Sequence, residues 1–431
     1  MMLVRRAGVA VLAILAVICA GCTGQSAPAA RPGGSVPAAG SGIAAPSAGV
    51  PSSLLTPLQI RTAYDLQPLY QQGITGKGET IVIVDPFGSP TIGPDLRHFD
   101  AAFGLPAPPS FRVIQPAGPV PPFRQTSNQV DGAVETTLDV EWAHAVAPGA
   151  SILLAETPTA EIEGATGFAQ IVQAEEYAIR RHLGGVVSMS LGATEETFAS
   201  KAQLLSFRSA FELAAEPQYR VTMVAATGDT GASGYTYSTK SLYDSQVVGW
   251  PASDPLVTAV GGTQLDLTPS GSRRKPDVAW SLGGGGLSSV FARPAYQNAV
   301  VHYGMRAIPD VSMDAACQSA TAIYLSFLGA RWTQGCGTSL AAPLFAAIVA
   351  LADQVAGHSL GPVNTALYRM AAARDRGIVD VVSGSNAIDV AVHGVQRTVR
   401  GWTAGTGYDL ASGLGTIDGR YFVPELAHAA G

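Results

Sequence analysis

Nowhere in the 431 residues do lysine and arginine cluster among aromatic side chains, and the formal net charge is -6 with a sequence pI near 5.6. A chain that tracks phosphates needs a basic face, so nucleic acid is excluded as a partner. Charge of either sign is scarce, 13% of residues against 47% hydrophobic. That balance excludes a disordered chain and supplies a large core. Of only four cysteines, Cys19 and Cys22 fall in the N-terminal segment and Cys317 and Cys336 remain. There is no C-x-x-C pair and no His/Cys metal-ligand spacing.

What is present begins with an export signal. Arg5 and Arg6 precede an apolar segment from Ala7 to Cys19, followed by Ala20-Gly21-Cys22. The small residues before Cys22 resemble a bacterial lipoprotein box, with Cys19 standing where Leu, Val or Ile is usual. Acylation of Cys22 would anchor the chain on the outer face of the cell membrane; an ordinary signal cut nearby would release it. Residues 23–52 are rich in Ala, Gly, Pro and Ser with almost no charge, a tether that buries no core. Residues 1–22 are therefore read as the signal, 23–52 as the tether and 53–425 as one folded domain.

From Glu79 onward β-branched runs alternate with helical patterns. ETIVIVD (79–85), SILLAE (151–156), GVVSMS (185–190) and RVTMVAA (220–226) read as strands, and Ala160–His182 and Thr197–Ala215 carry helix-period apolar residues. The alternation predicts an α/β fold with a mostly parallel sheet flanked by helices. The run from Ala341 to Ala352 is too short to span a bilayer and reads as a core helix. TAIYLSF and RWTQG on either side of Leu328-Gly329-Ala330 predict a hairpin that brings Cys317 and Cys336 together as a disulfide bracing the turn at Ser339. Two glycine-rich stretches are set aside as phosphate sites. Thr75-Gly76-Lys77-Gly78 precedes its strand instead of following it, and Gly283–Gly286 lacks dinucleotide-binding spacing, reading instead as backbone that approaches a ligand closely.

Ser339 follows Gly337-Thr338 directly before the apolar run, and a serine nucleophile there needs a base. The seven histidines are His98, His144, His182, His302, His358, His393 and His428; the single His-Gly pair, at His393, lies after Ser339, the wrong order for a subtilisin-type base. His144 is the one histidine kept as a rival. In DGAVETTLDVEWAHAVAPGA (131–150) a helix over Val134–Ala145 places Glu135 and Asp139 four apart on one face. Like charges there repel by a few tenths of a kcal/mol, which a solvated face tolerates. In an apolar segment the same pair can share a proton and act as a base in acid.

Glu-x-x-x-Asp at 135–139, Gly-Asp-x-Gly at 228–231 and Gly-Thr-Ser at 337–339 resemble, in this order, the sedolisin family of serine-carboxyl peptidases, kumamolisin-like enzymes included. WPASDPLVTAVGGT (250–263), GGGGLSSVFARPAYQ (283–297) and AIPDVSMDA (307–315) extend the resemblance across nearly everything from Leu54 onward. It implies a subtilisin-like fold and peptide-bond hydrolysis at acidic pH. It implies that Glu135 takes the proton of Ser339, Asp139 orients Glu135 by a hydrogen bond, and Asp229 donates to the oxyanion. It also implies one calcium ion in the C-terminal part, held by Asp380, Val381, Gly405, Gly407 and Asp409, a hard-oxygen set suited to Ca²⁺. Protein or peptide substrates follow. Two departures accompany the resemblance. The family is usually made with a long N-terminal prodomain, whereas only the tether separates Cys22 from the domain, so either folding proceeds unaided or a helper acts separately. Leu191 stands where some relatives carry an aromatic residue beside the substrate. The competing readings are a catalytically silent cell-surface binding protein on the same fold and a hydrolase based on His144.

Overall fold

The structure, a computed structural model, describes residues 49–237, 241–392 and 394–430. The signal, Cys22, most of the tether and His393 lie outside the described residues. The chain enters the body where the tether composition ends: Leu55 N donates to Ala320 O at 2.8 Å.

The central sheet is built from β1 (Thr80–Pro86), β2 (Phe111–Ile114), β3 (Ser151–Thr157), β4 (Val186–Met189), β5 (Thr222–Ala226), β6 (Thr258–Gln264), β7 (Val278–Ala279) and β8 (Val311–Asp314). Its order is β8-β6-β5-β4-β1-β3-β2, parallel throughout, with short β7 antiparallel on β6. The apolar runs read from the sequence are continuous because both faces are covered. Ile81 and Ile83 enter one core, and Val82 and Val84 the other. The order leaps outward in both directions from β1, and open α/β sheets bind ligands beyond the carboxyl ends of their strands.

Two long helices occupy the first of these cores. Helix α1 (Ser127–Val146) is capped by Thr126, which accepts from Gln129 N. Helix α2 (Thr338–Ala356) is buried at every residue from Leu340 to Asp353. It outruns the apolar segment seen in sequence and has the length and composition of a membrane span, yet it packs as a core helix against α1, β4, β5, β6 and β8.

Two helical expectations are corrected. The pattern over Ala160–His182 becomes a helix only at Phe168–Arg180. Gly164 and Gly167 adopt φ of +95° and +86°, which ends helical continuity, and residues 160–164 instead form a loop. The pattern over Thr197–Ala215 breaks into Lys201–Leu205 and Ser209–Ala214. The break turns Arg208 toward Asp254, with Nη2 donating to Oδ1 at 3.0 Å. At the far end, the helix Gly419–Ala430 runs past residue 425 and places Leu426 and Ala427 in the core.

The hairpin is present. Thr321–Leu325 pairs antiparallel with Arg331–Gly335, and Cys317 and Cys336 form a disulfide one residue before Gly337. Closing a loop of this size constrains the unfolded chain by about 3 kcal/mol in the chain-entropy model. Replacing both cysteines by alanine is therefore expected to lower the unfolding free energy by about that amount, read as a lower urea midpoint. A midpoint equal to that of the parent would show that the crosslink restrains nothing.

Candidate active site

Ser339 lies in the first turn of α2, after Gly337 with φ of +103°. A side chain at residue 337 would run into Asp229 Oδ2, so glycine is required for spatial as well as conformational reasons. Asp229 follows β5 in the loop Ala226–Asp229. Its Oδ1 accepts from Thr338 N at 2.7 Å and from Thr338 Oγ1 at 2.9 Å, while Gly228 N donates to Thr338 Oγ1 at 2.9 Å. Gly337 N donates to Ala315 O at 2.7 Å, tying the turn to the end of β8. With Oδ1 committed as an acceptor, Oδ2 is the oxygen left to carry a proton. Burial raises the Asp229 pKa, and the two bonds from Thr338 oppose the rise.

Glu135 and Asp139 lie on α1 one turn apart, 7% and 0% exposed. Both line up with Asp131 at intervals of four. Burial holds Glu135 well above the usual carboxylate range; the neighbouring Ser339 hydroxyl opposes this, and Asp85, Asp229 and Glu161 add repulsion. Asp139 is raised by burial, then by Asp85 and Glu135. The sequence-derived role for Asp139 needs restating in geometry. Its Oδ1 accepts from Ser190 Oγ at 3.0 Å, and the same hydroxyl reaches Ser339 O at 3.1 Å. Asp139 Oδ2 and Glu135 Oε1 are both buried without a donor. One proton held between the two carboxyls would serve both oxygens.

His144 is also on α1, but its Nε2 contacts Pro106 O at 2.8 Å and Asp100 Oδ1 at 3.2 Å, and it takes no part in lining the cleft. Its packing partners are away from the serine, which removes the geometric basis for that rival.

Sequence reading missed Ser190 and Asp85. Asp85 is fully buried at the end of β1, its carboxyl pushed up to about 7 by burial. The available signal was position: an isolated acid or hydroxyl closing an apolar strand sits at the carboxyl edge of a parallel sheet.

The cleft around Ser339 has a volume of about 300 Å³ and is walled by Ser190–Thr194, Ala226–Thr230, Ser233–Tyr235 and Gly284–Gly285. The glycine loop thus lies where close backbone approach was expected. Asn386, fully buried, supports it: its Nδ2 donates to Gly283 O at 3.2 Å and Gly285 O at 3.3 Å, and its Oδ1 accepts from Trp402 N at 2.7 Å.

The candidate calcium residues also converge. Gly407 N donates to Asp380 Oδ2 at 2.8 Å, Gly405 N to Asp409 Oδ2 at 2.9 Å, and Ser412 Oγ to Val381 O at 3.4 Å. Two carboxylates and neighbouring main-chain carbonyls on a glycine-bent turn form a donor set that fits a hard divalent cation. Among the described residues no cluster of three or more His, Cys, Asp or Glu forms a metal site, so any ion here relies on main-chain oxygens. The turn is tied to the sheet through Leu414 N to Asp310 O and Ser312 N to Gly415 O, each 2.9 Å.

Comparison with known proteins agrees with this fold. Residues 128–390 match the subtilase family. Kumamolisin of Bacillus sp. (strain MN-32) is 31% identical over 396 residues, 87% of this chain and 64% of the relative. Sedolisin of Pseudomonas sp. (strain 101) is 30% identical over 380 residues, 84% of this chain and 59% of the relative. The chain thus spans about three fifths of the length of these two relatives. Human (Homo sapiens) tripeptidyl-peptidase 1 is 28% identical over 307 residues, covering 66% of this chain and 50% of the relative. Among solved structures, Pseudomonas sedolisin, described as a serine-carboxyl proteinase complexed with two molecules of pseudo-iodotyrostatin, superposes with a TM-score of 0.72 at 26% identity. It covers 87% of this chain and 98% of that one.

Carboxyls raised by burial also extend beyond the cleft. Glu175, fully buried with neither oxygen hydrogen-bonded, is pushed up to about 8, as is Asp353. A folded pKa above the unfolded value means that the native state binds the proton more tightly. The stabilisation is complete below about pH 4, where the unfolded carboxyl is also protonated, and is lost as pH rises toward 8. Denaturant unfolding at fixed calcium is therefore expected to show a lower midpoint at pH 7.5 than at pH 4.5, and Glu175→Gln is expected to shrink the difference. Equal midpoints for the wild type would contradict the buried, protonated state of these groups.

Proposed function

Because the chain belongs to the subtilase family, within its sedolisin-like branch of serine-carboxyl peptidases, we propose that it is an exported endopeptidase cleaving peptide bonds in acid through an acyl-enzyme on Ser339. The observation that carries the reading is that Ser339 and the buried Glu135 line one cleft whose described lining holds no histidine.

In this reading Ser339 Oγ attacks the carbonyl carbon of the scissile bond and its proton passes to ionised Glu135. Asp139, restrained by Ser190, shares that proton and keeps Glu135 facing the serine. The carbonyl oxygen gains negative charge and is met by the proton on Asp229 Oδ2, an orientation supported by Thr338 occupying Oδ1. Glu135 then protonates the leaving amine, and water repeats the sequence on the acyl-enzyme. The export signal and a lipidated Cys22 would hold this cleft outside the membrane on a flexible tether, with protein or peptide as substrate.

Calcium at Asp380, Val381, Gly405, Gly407 and Asp409 would clamp the 404–415 turn. Leu410 O lies against Gly285 on the cleft loop, so the clamp supports the substrate site from behind.

Ser339→Ala is expected to cut turnover by at least about 10⁴-fold with fold retained, and Glu135→Gln nearly as much. Full activity in Glu135→Gln with loss in His144→Ala would transfer the role of base. The active form must lack a proton on the Glu135–Asp139 pair and hold one on Asp229. A bell in the acidic range follows whichever group has the lower pKa, since the profile reports macroscopic values. Asp229→Asn keeps a donor that cannot ionise, at a cost of roughly 10²-fold from imperfect geometry. Its activity should rise with pH without the alkaline decline, and a bell of wild-type shape would reassign Asp229.

The calcium reading has its own measurement. A ligand at 100 times its dissociation constant stabilises by about 2.7 kcal/mol, so chelation is expected to lower the melting temperature. Asp380→Ala and Asp409→Ala should each abolish that response. Melting curves unchanged by chelator would remove calcium from the account.

A further inference from the structure

The cleft is charged in one sense only. Its described lining contains Asp131, Glu135, Glu161, Glu163 and Asp229 and no lysine, arginine or histidine. Glu135 and Asp229 are accounted for by the reaction. Asp131, Glu161 and Glu163 are not.

Elsewhere three buried acids are matched with arginine, Asp254 with Arg208, Asp277 with Arg273 and Asp310 with Arg306, while others such as Glu175 stay unpaired in the apolar core. The cleft carboxyls have no such partner. Glu163 is satisfied internally, accepting from Thr194 N at 2.8 Å and Thr197 Oγ1 at 2.9 Å, and so anchors the loop. Glu161 is different. Its Oε2 is sealed from solvent and accepts no hydrogen bond, although the residue lines the cleft. An unpaired buried oxygen of this kind is costly unless a ligand supplies the donor. Asp131 faces the same cleft one helical turn before Glu135, in no ion pair among the described residues. Glu161 also acts electrostatically on Glu135, so a cation taken up by these acids would sit beside the reacting serine.

We propose that Asp131 and Glu161 form a subsite for a cationic group of the bound peptide, a lysine or arginine side chain or the peptide's free terminal ammonium. Ammonium and guanidinium groups bring donors without acceptors, which suits the unpaired Glu161 oxygen and Asp131 and favours their ionised forms. The inference rests on this cleft being the peptide-binding site, and its test separates the two.

Eight-residue alanine-based peptides would carry one lysine, or norleucine in its place, at each position in turn, with the N-terminus free or acetylated. Cleavage by the full chain would be measured between pH 4 and 7, and binding of the same peptides to the Ser339→Ala chain by calorimetry. A preference of about tenfold, equivalent to 1.4 kcal/mol, is expected for lysine over norleucine at one position, or for free over acetylated norleucine peptide. The first result assigns the subsite to a side chain and the second to the terminus. In Glu161→Gln and Asp131→Asn that ratio is expected to fall toward one. A ratio that stays unchanged in both variants would overturn the proposal, as would ratios near one for the parent in cleavage and binding. Biased binding without any cleavage would sink the peptidase reading and leave the cation subsite standing.

Discussion

The packing of α1 against α2 is the contact on which the site depends. Between Leu340 and Ala352 helix 338–356 is apolar on all sides and offers no solvent face, so its neighbours must seal that stretch completely. Helix 127–146 packs against it and contributes Leu138, Trp142 and Ala145 to the same core while carrying Glu135, Asp139 and Glu141 into buried positions. Burying acids is expensive unless they are protonated or supplied with donors. That cost, borne by the large apolar core, leaves Glu135 with a raised pKa in the cleft that holds Ser339. A wetter interface between these helices would return both carboxyls toward ordinary values.

The same physics recurs through the body. Glu141 accepts from Tyr324 N at 3.0 Å, with its other oxygen unpaired, and Asp314 accepts from Ser319 Oγ at 2.5 Å. Each is held well above the carboxylate range by burial. A protein with many acids in this condition is favoured by protons in the surroundings, so acid supports the fold and the proposed chemistry together.

Rigidity around the serine comes from segments far apart in sequence. The disulfide fixes the hairpin that leads into Gly337, Thr338 joins the turn to Asp229, and Asn386 holds the glycine loop. The C-terminal turn at 404–415 closes the arrangement by bonding to β8. These braces limit how far the carboxyls and hydroxyl can drift from one another.

The sequence by itself determined the strands, because continuous β-branched runs such as IVIV can be buried on both faces only in a covered parallel sheet. It also determined the pairing of Cys317 with Cys336, since two cysteines flanking a hairpin have little choice of partner. Glu135 and Asp139 were legible as a pair through helical periodicity, and their order with Asp229 and Ser339 pointed to the family. Tertiary structure alone decided what those acids experience. Spacing is the same for a solvated face and for a buried one; only packing against 338–356 distinguishes them. Ser190 and Asp85 became visible when the sheet brought its strand ends to one edge. Glu161 emerged when glycines at 164 and 167 ended a helix that periodicity had extended to Ala160. Local pattern fixes which face is apolar, but desolvation and proximity belong to contacts between residues a hundred or more positions apart.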